Sequence, residues 1–250
     1  MRKKWLLFLP LGLAFLFAAI GGQRLLQYEE YHGRELENLV LQRSLRTGDE
    51  LEDPTEAIAH YAKIRPMIPE IQLRILQRQW TMALEMLHEI QAARYNPKLE
   101  AEVSALFARL TDHLDAMKAR CSALVSESAP LAPEIAWRIY NISGCAGLLK
   151  TFCVLETEGN WKKISSMLKD ALADLKAAIE QVDLSHTPTY EKNIPRWNVE
   201  LLYGEDLVRK LAQSSGDTER RLELKDNLEA IIPEKGGYAP GEPVDRTIQK

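Results

Sequence analysis

Leu99 to Leu124 reads LEAEVSALFARLTDHLDAMKARCSAL. Its apolar side chains fall at Leu99, Val103, Leu106, Phe107, Leu110, Leu114, Met117, Cys121 and Leu124, in steps of three and four. Such steps line up as one stripe along a 3.6-residue helix, with Arg109, Asp112 and Asp115 turned away from it. A stripe this long is buried only against helices of comparable length, so the expected fold class is all-α.

The flanks agree. Asn96-Pro97 opens the helix with a cap and a first-turn proline, and the run Ser128-Ala129-Pro130-Leu131-Ala132-Pro133 breaks it. Upstream, Asp53-Pro54-Thr55-Glu56 is a start signal: Asp caps, Pro suits the first helical position, and Glu follows three residues after the cap. Arg65-Pro66-Met67-Ile68-Pro69 stops that first short helix, because neither proline can continue it. From about Glu70, Leu76, Trp80, Ala83, Leu84, Leu87 and Ile90 keep helical spacing.

Downstream lies the most apolar helix of the body, with Ile135, Ala136, Ile139, Ile142, Ala146, Leu149 and Phe152. Gly144 and Gly147 within it each cost about 1 kcal/mol of helix propensity, and they allow a neighbouring backbone to come close. Gly159-Asn160-Trp161 turns the chain, and Ile164, Leu168, Ala171, Leu172, Leu175, Ile179 and Val182 are expected to return antiparallel. Ser185 to Pro195 reads as a loop. Pro195-Arg196-Trp197-Asn198 then opens one more helix, with Leu201, Leu202, Leu207, Val208 and Leu211 on a face, and Ser214 to Asp217 ends it. Residues 233–250 begin with a run of Pro and Gly and read as an extended tail.

The other end of the chain has a different character. Trp5 to Gly22, WLLFLPLGLAFLFAAIGG, carries no charge over eighteen residues, enough to cross a bilayer at about 1.5 Å per residue. Ala19-Ile20-Gly21 supplies only a rough signal-peptidase site, and the helical pattern continues through Leu25, Leu26, Tyr28, Leu36, Leu39 and Val40, so an uncleaved anchor with a rigid stalk is expected. Arg2, Lys3 and Lys4 precede the segment and Arg24 alone follows it closely, which keeps the amino terminus inside and the body outside. The expected organisation is a head at 1–4, a transmembrane helix at 5–22, a stalk at 23–50, a helical domain at 51–232 and the tail. In a diderm bacterium this places the body in the periplasm, tethered to the inner membrane.

A net charge of -4 gives no electrostatic reason to bind nucleic acid. Three cysteines, Cys121, Cys145 and Cys153, read as small buried hydrophobes, with a bridge from Cys121 to one of the other two as the alternative. Cys145 and Cys153 are too far apart along one helix to join each other.

No phosphate loop, zinc-protease helix or nucleophile elbow is present. Glu85 and His88 have di-iron spacing, but a single copy lacks the facing ligands, and a solvated face is the simpler reading. Asp112, His113 and Asp115 are read as surface, and His32 and His60 are isolated. No cofactor, metal, small-molecule substrate or catalytic residue is expected. Trp80, Trp161 and Trp197 read as fillers of helix junctions. A second reading of Trp197 joins it with Tyr190, Arg196 and Tyr203 as the rim of a peptide-binding groove, because Trp, Tyr and Arg dominate interface hot spots.

The Gly159-Asn160-Trp161 turn and the alanine-rich return through Ala171, Ala173, Ala177 and Ala178 resemble degenerate tetratricopeptide units. With the basic head, the single span and the Pro195-Arg196-Trp197-Asn198 segment, the layout resembles small anchored proteins of the MxaK type. Those are encoded beside MoxR ATPases and von Willebrand A-domain proteins and are associated with maturation of periplasmic methanol dehydrogenase. Several helices here exceed tetratricopeptide length and no 34-residue period recurs, so a compact antiparallel bundle stays equally open. The function expected is a membrane-anchored extracytoplasmic scaffold or adaptor for a partner protein in the same membrane, with an accessory or chaperone-like role in maturing an exported enzyme as the alternative.

Overall fold

A computed structural model describes residues 5–94, 96, 99–126, 130–157 and 161–201; within these ranges, nothing is described of the side chains of 5–22, 25, 26, 29, 100, 161, 162, 200 and 201. Among the described residues the chain forms seven α-helices and no strand: α1 (Trp5–Asp49), α2 (Pro54–Tyr61), α3 (Pro69–Arg94), α4 (Glu100–Ser126), α5 (Pro133–Thr157), α6 (Trp161–Leu184) and α7 (Thr189–Leu201). The chain divides into two units after Glu50.

The first unit is one unbroken helix. At about 1.5 Å per residue its 45 residues extend roughly 68 Å. Ion pairs one turn apart, Arg34 with Glu30 and Arg46 with Glu50, support its exposed surface. Among the described residues no helix is long and apolar enough to cross a membrane. The expected span at Trp5–Gly22 falls on side chains outside the description, as do the head at 1–4 and the tail at 233–250.

The second unit starts as its sequence dictates. The Asp53 carboxylate accepts the Thr55 N–H at 2.7 Å and the Glu56 N–H at 3.4 Å, and Pro54 occupies the first turn of α2. After the proline-rich break, α3 and α4 pair antiparallel: Arg94 near the end of α3 lies 5.0 Å over the Phe107 ring near the start of α4, while Gln79 accepts from the Arg120 guanidinium at 3.4 Å. The α4 stripe is buried as its period requires, with Leu110, Leu114 and Met117 wholly covered.

At the centre of this unit stands α5, which touches α3, α4 and α6 and packs most extensively on α6. Seventeen of its side chains are buried, so it shows no amphipathic face at all. Residue pairs along the α5–α6 contact run in opposite directions, Ser143 with Asp174, Gly144 with Leu175 and Gly147 with Ala171. A Cβ placed on Gly144 would lie 2.6 Å from Leu175 Cγ, and one on Gly147 would lie 2.9 Å from Ala171 Cβ. The two glycines are what lets α6 lie this close, and Ala171 presents the matching small surface.

The stretch from Ser185 to Pro195, expected as loop, is mostly helix. Only Ser185 to Pro188 is irregular, and α7 begins six residues before Pro195, which sits inside it. Local chemistry outweighs the proline. The Pro188 carbonyl accepts from Glu191 and Lys192 N–H at 3.0 and 3.1 Å and so starts the helix early. The interior proline forfeits one backbone bond, a cost of about 3 kcal/mol that tertiary contacts must offset. All three cysteines are free and buried, so no bridge forms from Cys121.

Gly147→Ala should lower stability by about 1–2 kcal/mol, overpacking against Ala171 outweighing the gain in helix propensity. Urea titration followed by circular dichroism measures this; an unchanged midpoint would mean that α6 shifts freely.

Candidate functional site

Two places in the second unit gather polar and aromatic side chains. The first is the mooring of α7, which runs parallel to α5 and antiparallel to α6. From the start of α5, Glu134 Oε1 accepts the His186 N–H at 3.0 Å, Trp137 Nε1 donates to Thr187 Oγ1 at 3.1 Å, and the Arg138 guanidinium donates to Glu191 at 2.7 Å. Further along, Asn198 Nδ2 donates to Asn141 Oδ1 at 3.1 Å and lies 3.4 Å from Cys145 Sγ. Apolar support comes from a small cluster of Trp137, Val182 and Ile194 and from Val199, which packs against the main core. The helix is therefore held by hydrogen bonds and ion pairs together with apolar contacts at both ends.

Both asparagines are fully buried, yet Asn141 Nδ2 and Asn198 Oδ1 have no partner among the described residues. The His186 N–H, more than any other group, holds the Glu134 carboxyl below the usual carboxylate range, with Arg138 adding to the effect.

The residues expected to bind a partner divide between two surroundings. Tyr190 and Trp197 are seven residues apart and share one face of α7; Tyr190 is exposed and Trp197 half-buried. Arg196 points elsewhere: its guanidinium donates to the Lys192 carbonyl at 2.7 Å and pairs with Asp183 of α6, so it serves as an internal brace. Tyr203 lies outside the described residues. Trp80 is buried in the main core, while the side chain of Trp161 is outside the description.

The second place is a cleft of about 230 Å³ between α4, α5 and α6, lined by Cys121, Ser122, Ser126, Tyr140, Ser143 and Asp174. Asp174 Oδ2 accepts from Ser143 Oγ at 2.7 Å and from Lys118 Nζ at 3.1 Å, joining the three helices at one oxygen. The volume is below the usual 300 Å³ of a ligand site and suits a few waters. Burial pushes the Cys121 thiol up to about 12, and the nearby Asp174 charge pushes the same way. Cys121 keeps its proton and so is not an activated nucleophile as arranged, while Ser143 is engaged in a hydrogen bond to the Asp174 carboxylate.

Elsewhere, Glu85 and His88 are exposed, and His88 Nδ1 lies 2.9 Å from the Leu84 carbonyl of its own helix. His113, expected at the surface, is half-buried with Nε2 2.7 Å from the Gln79 carbonyl of α3, a tie across helices that no spacing rule reveals. Asp115 pairs with Lys150 of α5. Among the described residues no group of three His, Cys, Asp or Glu is arranged to hold a metal. Trp137 and the Asn141–Asn198 pair escaped the sequence reading; a signal existed only for Trp137, one turn inside a helix start marked by Pro133.

No protein-family model, curated protein or solved structure matches this chain.

Asn198→Ala should cost about 1–3 kcal/mol because Asn141 is left with no partner, whereas the double change Asn141→Leu with Asn198→Leu should be nearly neutral. Denaturation of the two variants beside the wild type decides it. The Glu134 contribution has a depressed native pKa, so it is present above the ordinary value of 4.5 and lost as the pH falls below it. Amide exchange should therefore show α7 protected at neutral pH and less so in acid, and Glu134→Gln should blunt the difference.

Proposed function

We propose that this chain is a membrane-anchored extracytoplasmic adaptor. Residues 5–22 cross the membrane with the amino terminus inside, α1 continues as a stalk, and the second unit offers α7 to a partner protein in the same membrane complex. The observation that carries this reading is the placing of the exposed Tyr190 and the half-buried Trp197 seven residues apart on one face of α7. Large amphipathic aromatics suit a surface that meets a partner. The uncharged run at 5–22 and the basic residues before it support the anchor and its direction. On the resemblance to MxaK-type proteins, the partner would belong to machinery that matures an exported enzyme, and the stacking of α5 on both α3 and α4 is compatible with helical hairpins of the tetratricopeptide kind.

The test is capture from detergent-solubilised membranes with the wild-type chain and with Tyr190→Ala, Trp197→Ala double-variant bait. The double variant should lose a specific partner by about tenfold or more, as expected when hot-spot residues are truncated, while keeping its melting temperature. Equal capture by both baits would overturn the assignment of α7. Recovery of the chain in the soluble fraction after membranes are pelleted would overturn the anchor.

A further inference from the structure

Trp5 opens the uncharged run, and Tyr28 and Tyr31 follow its end on the same unbroken helix, α1. At about 1.5 Å per residue, Tyr28 stands roughly 35 Å and Tyr31 roughly 39 Å along the axis from Trp5. The two headgroup layers of a bilayer are separated by a hydrocarbon core of about 30 Å and enclosed within about 40–45 Å. Both tyrosines fall in that interval. Tyr28 is 64% and Tyr31 65% exposed, and the His32 ring joins them, edge-on to Tyr28 with centroids 4.2 Å apart and to Tyr31 at 5.8 Å. Exposed Arg24 lies one turn nearer the run than Tyr28, and the four side chains share a sector of roughly 100° of the helix.

We propose that Arg24, Tyr28, Tyr31 and His32 form a collar that binds phospholipid headgroups where α1 leaves the bilayer, an inference that rests on the anchor proposed above. Tyrosine suits that layer because its ring is apolar and its hydroxyl is wet, so it gathers where hydrocarbon meets water. Helical side chains lean toward the preceding turn, which here is the turn nearer the apolar run. Arg24 supplies the charge: its guanidinium reaches the phosphates while its stem stays in hydrocarbon, and Leu25 and Leu26 return to apolar character beyond it. The other end of the run repeats the combination, with Arg2, Lys3 and Lys4 ahead of Trp5, which marks a second interface rather than a protein contact. The carboxylates fit the same boundary. Glu30 lies in the opposite half of the helix and pairs with Arg34, one turn farther out. Glu35 is on the collar side, but it stands one turn beyond Tyr31, with Oε2 3.5 Å from His32 Nδ1, where water begins.

The full chain in phosphatidylcholine vesicles tests this, with a fluorophore attached at Gln27→Cys, beside the collar, or at Gln42→Cys, well beyond it; both positions are exposed. The native thiols at Cys121, Cys145 and Cys153 are 1% exposed and do not compete. A nitroxide quencher is carried either on the lipid headgroup or in the middle of the acyl chain. The Gln27→Cys label should be quenched more by the headgroup nitroxide than by the acyl one, and the Gln42→Cys label by neither. With Tyr28→Ala and Tyr31→Ala added, the Gln27→Cys label should lose its preference for the headgroup quencher. Quenching at Gln27→Cys that is strongest from the acyl chain overturns the collar, and so does a headgroup preference that survives the loss of both tyrosines. An alkaline carbonate wash reads the anchor separately. Release of the wild type from the vesicles overturns the anchor and the collar together, whereas a retained chain whose Gln27→Cys label is quenched no more than Gln42→Cys overturns the collar alone.

Discussion

The close approach of α5 and α6 sets the arrangement of the second unit. Gly144 and Gly147 leave no room for a Cβ against Leu175 and Ala171, and this absence of side chains brings the two helices near enough for Ser143 to reach Asp174. From there the same carboxylate reaches Lys118 on α4, so one contact made by the smallest residues fixes the position of a third helix. With α3 on a further side, α5 is covered along most of its length.

The organisation of helices was legible because it depends on period. The stripe from Leu99 to Leu124 and the cap at Asp53 are local patterns, and local geometry obeys them. Gly144 and Gly147 were legible for the same reason, since a glycine inside an apolar helix has few roles besides close packing. What stayed hidden depends on which polar groups meet after folding. Pro195 read as a helix start because proline is usually at one, but the Pro188 carbonyl had already started α7. Nothing in the sequence around Asn141 or Asn198 tells that they are buried against each other, and His113 looks like any polar residue beside an apolar stripe.

The candidate site was legible only in outline. Tyr190 and Trp197 were grouped by residue type alone, because Ser185 to Pro195 reads as a loop and their separation of seven gains meaning only once the segment is helical. Arg196 could not be judged that way. Its side chain is taken by Asp183, a residue of the preceding helix whose proximity follows from the short turn at Ser185 to Pro188. The attachments of α7 mix hydrogen bonds and ion pairs with the apolar contacts of Ile194 and Val199, while those of α5 are almost wholly apolar and collective.

Most packing in the second unit joins helices that follow one another along the chain, α2 with α3, α3 with α4, α4 with α5, α5 with α6 and α6 with α7. Short loops close cheaply, so little entropy is spent before each contact forms, and collapse can proceed in the order in which a ribosome delivers the segments. Such a topology favours rapid kinetics.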